Sequence, residues 1–118
     1  LELFDSDDEL IVNEIAPRVH NSGHWTIEGA QTSQFENHIR AITNSPLGDT
    51  SIKSQFNAMI NIIGKYGPTN KVLETRNAHL HLYDKKERKN RKLGHITITS
   101  DSYEELQNSI DNLSNYLP

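Results

Sequence analysis

The residues able to do chemistry gather in one short segment, residues 12–24, which reads VNEIAPRVHNSGH. The segment holds a carboxylate, a guanidinium, two imidazoles, and amide and hydroxyl groups. Apolar residues at 10–12 predict a buried strand, and Pro17 then ends regular structure, so the polar groups follow in a loop. A rigid strand that supplies one ligand, followed by a loop that surrounds the substrate, is a common way to build a site.

Glu14 has a candidate partner in Glu2, because the chain between them predicts a β-hairpin. Residues 1–4 and 10–16 are apolar runs separated by DSDDE, whose composition is typical of a turn. Carboxylates on neighbouring strands, about 5 Å apart at Cβ, repel unless a cation lies between them. Mg²⁺ fits, since it takes one or two protein carboxylates and completes its shell with water and phosphate oxygens. In the alternative interpretation one of the two acids points into solvent, because strand register is poorly fixed by sequence.

Composition excludes several classes of protein. The 118 residues suffice for one modest domain or for pieces of two. A formal net charge of -4 argues against bulk electrostatic binding of nucleic acid. The sequence contains no Cys, hence no disulfide, thiol nucleophile or thiolate zinc site. No apolar run approaches the ~20 residues of a membrane helix, and no signal peptide opens the chain, so we expect a cytoplasmic protein without nucleic-acid or membrane partners.

Two helices are marked by their first turns. Ser33 with Glu36 makes a capping-box spacing and predicts an amphipathic helix to about residue 43. Ser102 with Glu105 makes a second capping box. The apolar face predicted for this second helix runs to the end of the chain and consists of Tyr103, Leu106, Ile110, Leu113 and Leu117.

Three strands follow from composition and alternation. Residues 55–63 are rich in apolar side chains and predict a strand covered on at least one face. Residues 78–83 and 92–99 alternate in polarity, which predicts two more strands joined by a basic turn. Together with the helices they predict an α+β fold, an antiparallel sheet backed by helices.

Likeness to a known family extends over nearly the whole chain. Beyond the spacing of Glu2 and Glu14, the segments that carry it are NEIAPRVHNSGH at 13–24, TSQFE at 32–36, SPLGD at 45–49, LYDK at 82–85 and RKLGH at 91–95. In these segments the chain resembles the C-terminal part of 5-(carboxyamino)imidazole ribonucleotide synthase, the ATP-grasp carboxylase family of purine biosynthesis. The resemblance implies that residues 1–50 end an ATP-grasp domain and that 51–118 form a small C-terminal domain with an antiparallel sheet and helices.

The resemblance also implies the nucleotide and metal ligands. It assigns Glu2 and Glu14 to the Mg²⁺ bound between the ATP phosphates, and Asn13 with Glu14 to the nucleotide. The ATP-holding lysines and hinge of the family precede this point and are absent from the sequence, which also has no initiating Met. We therefore expect a fragment that hydrolyses no ATP alone.

Four residues of the following loop receive roles from the same resemblance. Arg18 and His20 are expected as catalytic residues beside bicarbonate or the carboxyphosphate made from it, with Asn21 and Ser22 adjacent as substrate-binding residues. A fixed guanidinium suits the charge that develops on a transferred phosphoryl group. From the residues alone, Arg18 in a surface ion pair is the alternative, and His20 either holds bicarbonate or moves a proton. Ser22 has no base or orienting acid in the local pattern, so no nucleophilic role is expected.

The segment KKERKNRK, residues 85–92, is the second candidate site and is here called the basic turn. Taken alone it indicates a solvated hairpin turn. The resemblance assigns Lys85, Arg91 and Lys92 to the phosphate of 5-aminoimidazole ribonucleotide, a role that cationic side chains serve well. Asn90 stands where the family often has Gly, and a tight turn survives because Asn tolerates positive φ.

The remaining histidines and aromatic residues have plainer interpretations. His79, His81 and His95 lie on the predicted strands and suggest either zinc ligands or, as favoured here, polar packing on a sheet face, because Cys and suitably spaced carboxylates are lacking. Trp25 and Tyr66 are interpreted as packing groups rather than ligand stackers.

Two classes of function remain for the chain. The first is a carbon–nitrogen ligase that uses ATP, Mg²⁺ and bicarbonate to carboxylate 5-aminoimidazole ribonucleotide, yielding ADP and phosphate, from a homodimeric enzyme. Another ATP-grasp carboxylase or a formate-dependent ligase is the alternative within that class. The second class is a non-catalytic folding or dimerisation module formed by the isolated chain.

Overall fold

A computed structural model describes residues 1–116 and shows two separate antiparallel sheets joined by a helical segment. The first sheet is a hairpin of β1 (Glu2–Ser6) and β2 (Glu9–Glu14). The second has β3 (Phe56–Ile63), β4 (Ala78–Leu82) and β5 (Lys92–Ser100) in the order β3-β5-β4. The α+β prediction is confirmed.

The hairpin forms with the register that the two acids suggested. Glu2 pairs with Glu14 across the ladder, with an irregularity between Glu2 and Leu3. Asp7 and Asp8 form the turn, with φ of 46° and 69°. Positive φ at both central residues matches the right-handed twist of a two-residue hairpin, and Asp tolerates it. Because the ladder continues to the pair Ser6 and Glu9, the turn is shorter than the predicted five residues.

The prediction of a buried strand at residues 10–12 is wrong. Leu10, Ile11 and Val12 are 68%, 50% and 61% exposed. The hydrophobic pattern identified a strand, but burial also requires a second layer, and residues 1–116 supply none over this hairpin.

The three-stranded sheet carries the core on one face. The predicted strands at 55–63, 78–83 and 92–99 are confirmed within one or two residues. β5 is central, and the α4 helix (Tyr103–Asn112) packs against it and against β3. The buried apolar cluster comprises Ile60, Ile62, Val72, Leu93, Ile96, Ile98, Leu106, Leu113 and Tyr116.

Both predicted helices begin at their capping residues. The helices preceding α4 are α1 (Thr26–Gly29), α2 (Gln34–Ile42) and α3 (Thr69–Glu74). Ser33 accepts a hydrogen bond from the Glu36 N–H at the start of α2, and Ser102 accepts one from the Glu105 N–H at the start of α4. α3 was not predicted, because its six residues are too few to show a clear helical period, although Val72 is fully buried.

The predicted apolar faces are only partly covered. In α4, Leu106 is buried but Tyr103 is exposed, and the helix ends before a 3₁₀ turn at Ser114–Tyr116, while Leu117 lies outside the described residues. In α2, Ile39 and Ile42 are exposed. No helix within residues 1–116 has the length and apolar character to cross a bilayer.

The second face of the sheet is polar and is covered by the segment that follows the hairpin. Glu28 in α1 contacts His81 in β4, with 2.8 Å between Oε1 and Nε2. Backbone hydrogen bonds from Gln31 to Ser51 and from Lys53 to Gly29 join this segment to the chain leading into β3. The loop of residues 15–25 is thereby held between the hairpin and the sheet.

Candidate active site

Two carboxylates and an imidazole converge at the open end of the hairpin. One ligand atom from each of Glu2, Glu14 and His20 lies within 4.8 Å of the others, and this acid–histidine cluster is the one metal-type grouping found in residues 1–116. Glu2 also accepts a hydrogen bond from the Asn13 side chain. The hairpin therefore positions the two acids and Asn13, while the loop after Pro17 returns His20 to them.

The hydrogen bonds of His20 define which ring nitrogen carries the proton. Ser22 donates its backbone N–H to Nδ1 at 3.3 Å, and its Oγ lies 2.8 Å from the same nitrogen. Since Nδ1 accepts, neutral His20 carries its proton on Nε2 and donates it to Glu14 Oε1 at 2.7 Å. His20 thus connects the capped turn Asn21–Gly23 to the acid pair.

The oxygen ligands of the cluster fit a hard divalent cation. Glu2 and Glu14 are cross-strand partners, and the His20 ring lies 2.7 Å from Glu14 and 3.8 Å from Glu2. Oε1 of Glu14 is also 3.8 Å from the Arg18 guanidinium, but no Arg or Lys in residues 1–116 forms an ion pair with both acids. Carboxylate oxygens are the ligands Mg²⁺ favours, whereas an imidazole is not. His20 therefore serves better as a hydrogen-bonding neighbour of the acids than as a third metal ligand.

Arg18 lies at the rim of the cluster. Its Nη2 is 3.8 Å from Glu14 Oε1, its Nη1 donates to the Val19 carbonyl at 3.0 Å, and 62% of the side chain is exposed. A loose, exposed ion pair of this kind stabilises the fold little. The guanidinium is accordingly available to an anion bound beside the acids.

Asn21 and Ser22 lie on opposite sides of the loop. Ser22 belongs to the cluster through the His20 ring, a contact that the local sequence pattern did not indicate and that is also that of a capped turn. That Ser22 is not a nucleophile stays a prediction. Asn21 faces the sheet, where its Nδ2 is 3.4 Å from Asn61 Oδ1. The structure brings Ser22 to the acid–histidine cluster and leaves Asn21 outside it.

The basic turn places two lysines near each other. Asn90 has φ of 61°, which confirms a tight turn without Gly. Burial, and next the charge of Lys85, lowers the pKa of Lys92. Lys85 Nζ lies 5.1 Å above the centre of the Tyr83 ring, and Arg91 is half-buried, its carbonyl accepting the Gly64 N–H at 2.8 Å. Cationic side chains gathered in one turn favour a bound anion.

Beside the basic turn, His81 and His95 form a stacked pair. Their ring centres are 4.4 Å apart and their planes differ by 8°. His95 is 1% exposed and its Nδ1 lies 2.6 Å from the Tyr83 hydroxyl. His79 instead is exposed, so the three strand histidines do not converge on one point and the polar-packing interpretation describes their arrangement.

His24 lies between the acid–histidine cluster and the basic turn. Its Nδ1 is 2.9 Å from the His20 carbonyl oxygen, and its ring contacts that of His95 edge-on at 5.4 Å. Burial is the largest effect lowering the pKa of His24, and the charge of Lys92 is the next that lowers it. No sequence signal indicated this link, because it depends on how the loop packs on the sheet.

Acid is expected to destabilise the fold through His95. Burial, followed by the charges of His81, His24 and Lys92, lowers the pKa of His95 to about 4, from about 6.5 in the unfolded chain. Between these values the unfolded state binds a proton that the folded state does not bind. The contribution of His95 to the free energy of unfolding is therefore fully present above pH 6.5 and declines as the pH falls toward 4. The loss by pH 4.5 is about 2 to 3 kcal/mol of unfolding free energy.

Urea unfolding at pH 7 and pH 4.5 measures this loss. The His95→Gln variant should lose less free energy over that interval than the parent, and exposed His79→Gln should lose as much as the parent. Equal losses in all three proteins would contradict the assignment to His95.

Two models of known protein families match separate parts of the chain. A family model described as "ATP-grasp domain" matches residues 1–35, and one described as "Phosphoribosylaminoimidazole carboxylase C-terminal domain" matches residues 57–109. The fold and the acid–histidine cluster thus define part of an ATP-grasp protein.

Individual relatives indicate which family of ATP-grasp proteins the chain belongs to. N5-carboxyaminoimidazole ribonucleotide synthase of Vibrio cholerae is 50% identical over 117 residues, which are 99% of this chain and 31% of the relative. The crystal structure of the Thermus thermophilus synthetase superimposes with a TM-score of 0.91 at 51% identity, covering 98% of this chain and 32% of that one. The Aspergillus clavatus synthase in complex with ADP and 5-aminoimidazole ribonucleotide gives 0.84 at 39% identity, covering 96% and 33%. The chain belongs to the N5-carboxyaminoimidazole ribonucleotide synthase family, and it spans about a third of the length of these relatives.

Proposed function

We propose that this chain forms the metal-, bicarbonate- and ribonucleotide-binding part of an ATP-dependent ligase that carboxylates 5-aminoimidazole ribonucleotide. The convergence of Glu2, Glu14 and His20, with Arg18 at the rim, is the observation that carries the proposal. Identity of about 50% to synthases over nearly the whole chain supports the same activity.

In the proposed reaction a bicarbonate oxygen attacks the γ-phosphorus of ATP, and ADP leaves. The exocyclic amine of the ribonucleotide then attacks the carboxyl carbon of carboxyphosphate, inorganic phosphate leaves, and the nitrogen loses one proton. Mg²⁺, when bound, would neutralise charge on the transferring phosphoryl group. Glu2 and Glu14 would hold that ion, and Asn13 fixes the first of them.

Arg18 and His20 would act on the bicarbonate side of the site. The exposed guanidinium of Arg18 would stabilise the developing negative charge. With its proton on Nε2 beside Glu14, His20 would hold the anion or exchange a proton with it. Ser22 would act through the His20 ring, and we retain Asn21 as a substrate-binding candidate at the edge of the loop.

The basic turn would bind the ribonucleotide phosphate through Lys85, Arg91 and Lys92. The positive charge of Lys85, which after burial helps to lower the pKa of Lys92, supports an anion site there. The Aspergillus clavatus synthase forms a complex with both ADP and the ribonucleotide, which supports two ligand sites in this family. In this chain His24 would lie between the acid–histidine cluster and the ribonucleotide-phosphate site of the basic turn.

Replacing Lys92 with Met should weaken ribonucleotide binding much more than ATP binding. Loss of one partly buried charge-assisted contact corresponds to about 1.5 to 3 kcal/mol, or roughly tenfold to a hundredfold in KM for the ribonucleotide. Steady-state kinetics of the complete enzyme measure both constants, and Lys89→Met in the same exposed turn is the matched control. Equal losses for the two substrates would refute the phosphate assignment.

The proposed enzyme needs further parts that this chain does not span. The residues that hold the adenine and the α- and β-phosphates would lie in the two-thirds of the relatives that this chain does not span. The boundary between the two domains would fall at residues 50 and 51. The enzyme would act in the cytoplasm as a homodimer, for which the exposed apolar side chains of α2, Ile39 and Ile42, offer a surface.

A chimera tests the activity directly. Residues 1–118 would replace the matching part of the Vibrio cholerae relative, and ADP release would be measured with and without bicarbonate and the ribonucleotide. We expect release that depends on both, and none from the 118-residue chain alone. A folded chimera that ignores either substrate would refute the carboxylase proposal, and robust turnover by the chain alone would refute the proposed division of the site.

A further inference from the structure

Gln34 holds the backbone of His20 with both ends of its side-chain amide. Its Oε1 accepts the His20 N–H at 2.8 Å, and its Nε2 donates to the His20 carbonyl oxygen at 2.6 Å. His20 is extended, with φ of -115° and ψ of 147°, so its N–H and C=O point to the same side. An amide side chain offers an acceptor and a donor in this arrangement at any pH, whereas a carboxyl offers both only when it is protonated.

The Gln34 amide is itself fixed from several directions. A Cβ added to Gly23 would lie 2.8 Å from Gln34 Cδ and Oε1, so the missing side chain of Gly23 makes room for the amide. The Gln34 N–H donates to Thr26 Oγ1 at 2.9 Å, and that hydroxyl donates to the Gly23 carbonyl at 2.6 Å. Gln34 Nε2 also lies 2.9 Å from His24 Nδ1. As the first residue of the capped helix α2, Gln34 is therefore a rigid support.

Gln34 contacts the backbone of His20, whereas the residues of the cluster contact its ring. The amide touches the His20 peptide groups, whereas the ring reaches Glu14 Oε1 and Ser22 Oγ. Holding the peptide groups of His20 fixes the position of its Cα, from which the ring extends toward Glu14. A displacement of about 1 Å at a catalytic group costs up to roughly a hundredfold in rate.

We propose that Gln34 is a positioning residue that sets the His20 ring against Glu14 for the carboxylation reaction. The proposal rests on the function proposed above. Gln34 touches neither acid of the cluster, so its effect on them passes through His20.

Two substitutions in the chimera separate this role from simple packing. Gln34→Met keeps the length of the side chain without its hydrogen bonds, and we expect kcat with bicarbonate to fall about tenfold or more while KM for ATP stays within about twofold. Gln34→Glu keeps the acceptor for the His20 N–H but, when ionised, places an oxygen against the His20 carbonyl. A protonated carboxyl restores the donor, so its activity relative to the parent should rise at least about threefold between pH 8.5 and pH 6.5.

The control variant is Gln31→Glu, which adds the same charge at an exposed position three residues away and should follow the parent profile. The rings of His20 and His24 are the titratable groups against Gln34, and both are present in the parent, the variants and the control. A ratio for Gln34→Glu that does not change with pH would overturn the proposal, as would full activity of Gln34→Met.

Hydrogen exchange of the His20 amide gives a readout that does not need turnover. In the parent chimera this amide should exchange slowly, and in Gln34→Met at least about tenfold faster. Unchanged exchange would overturn the positioning role even if activity fell. Faster exchange in a variant of an inactive parent would instead refute the carboxylase function while leaving the Gln34 contact established.

Discussion

Replacing Glu14 with Gln is expected to lower ribonucleotide-dependent ADP release by the chimera about 10²- to 10³-fold. Glu14 pairs with Glu2 across the hairpin and accepts a hydrogen bond from His20, with 2.7 Å between Oε1 and Nε2. Its Oε1 also lies 3.8 Å from the Arg18 guanidinium. The amide of the variant still offers an oxygen to His20, so the ring keeps a partner. The loss therefore reports the negative charge that would hold Mg²⁺ and oppose the guanidinium.

A magnesium titration separates this charge effect from misfolding. The Mg²⁺ concentration for half-maximal activity should rise together with the fall in kcat, because one of the two carboxylate ligands becomes neutral. Glu9→Gln is the matched control, since Glu9 lies at the far end of the same hairpin, paired with Ser6. Activity of Glu14→Gln within about threefold of the parent would remove the chemical basis of the proposed metal site.

Replacing Gly94 with Ala should be the most damaging small change in the fold, lowering the free energy of unfolding by about 3 kcal/mol or more. A Cβ at Gly94 would lie 2.2 Å from the His81 carbonyl oxygen and 3.3 Å from Leu82 Cα. Both atoms belong to the backbone of β4, which pairs with β5 at this point. The strands would have to separate, because neither atom can rotate away.

Gly64 provides a control of a different kind. It has φ of +81°, and the nearest atom to an added Cβ is 3.9 Å away, so Gly64→Ala carries backbone strain without a clash. Its expected cost is about 1 kcal/mol. Urea unfolding followed by the fluorescence of Trp25, the single tryptophan, measures both variants. A cost for Gly94→Ala no greater than that for Gly64→Ala would contradict the packing argument.

Local signals predicted the elements of this fold well. The hairpin register, the helix starts at Ser33 and Ser102, and the alternation in β4 and β5 all depend on residues near each other in sequence. Such features are decided by backbone hydrogen bonds and by the period of the side chains. Burial of residues 10–12 was predicted wrongly because it depends on a layer that the pattern of one strand does not contain.

The candidate site was predictable as a set of residue types but not as a set of contacts. Glu2 and Glu14 could be paired because a short turn separates their strands, whereas Gln34 reaches His20 over 14 residues and Glu28 reaches His81 over 53. Such contacts arise only when α1 and the loop pack on the polar face of the sheet. Sequence reasoning therefore named His20 and missed the residue that holds it.

The hairpin of β1 and β2 has a practical consequence for anyone who purifies the 118-residue chain. Apolar side chains such as Leu3, Phe4, Leu10 and Ile11 are exposed, and the ribbon is two strands wide with an outer edge on each side in residues 1–116. Open edges next to apolar surface invite strand addition by other molecules. At high concentration this ribbon is where aggregates would nucleate, so a solubilising fusion or dilute samples suit the isolated polypeptide.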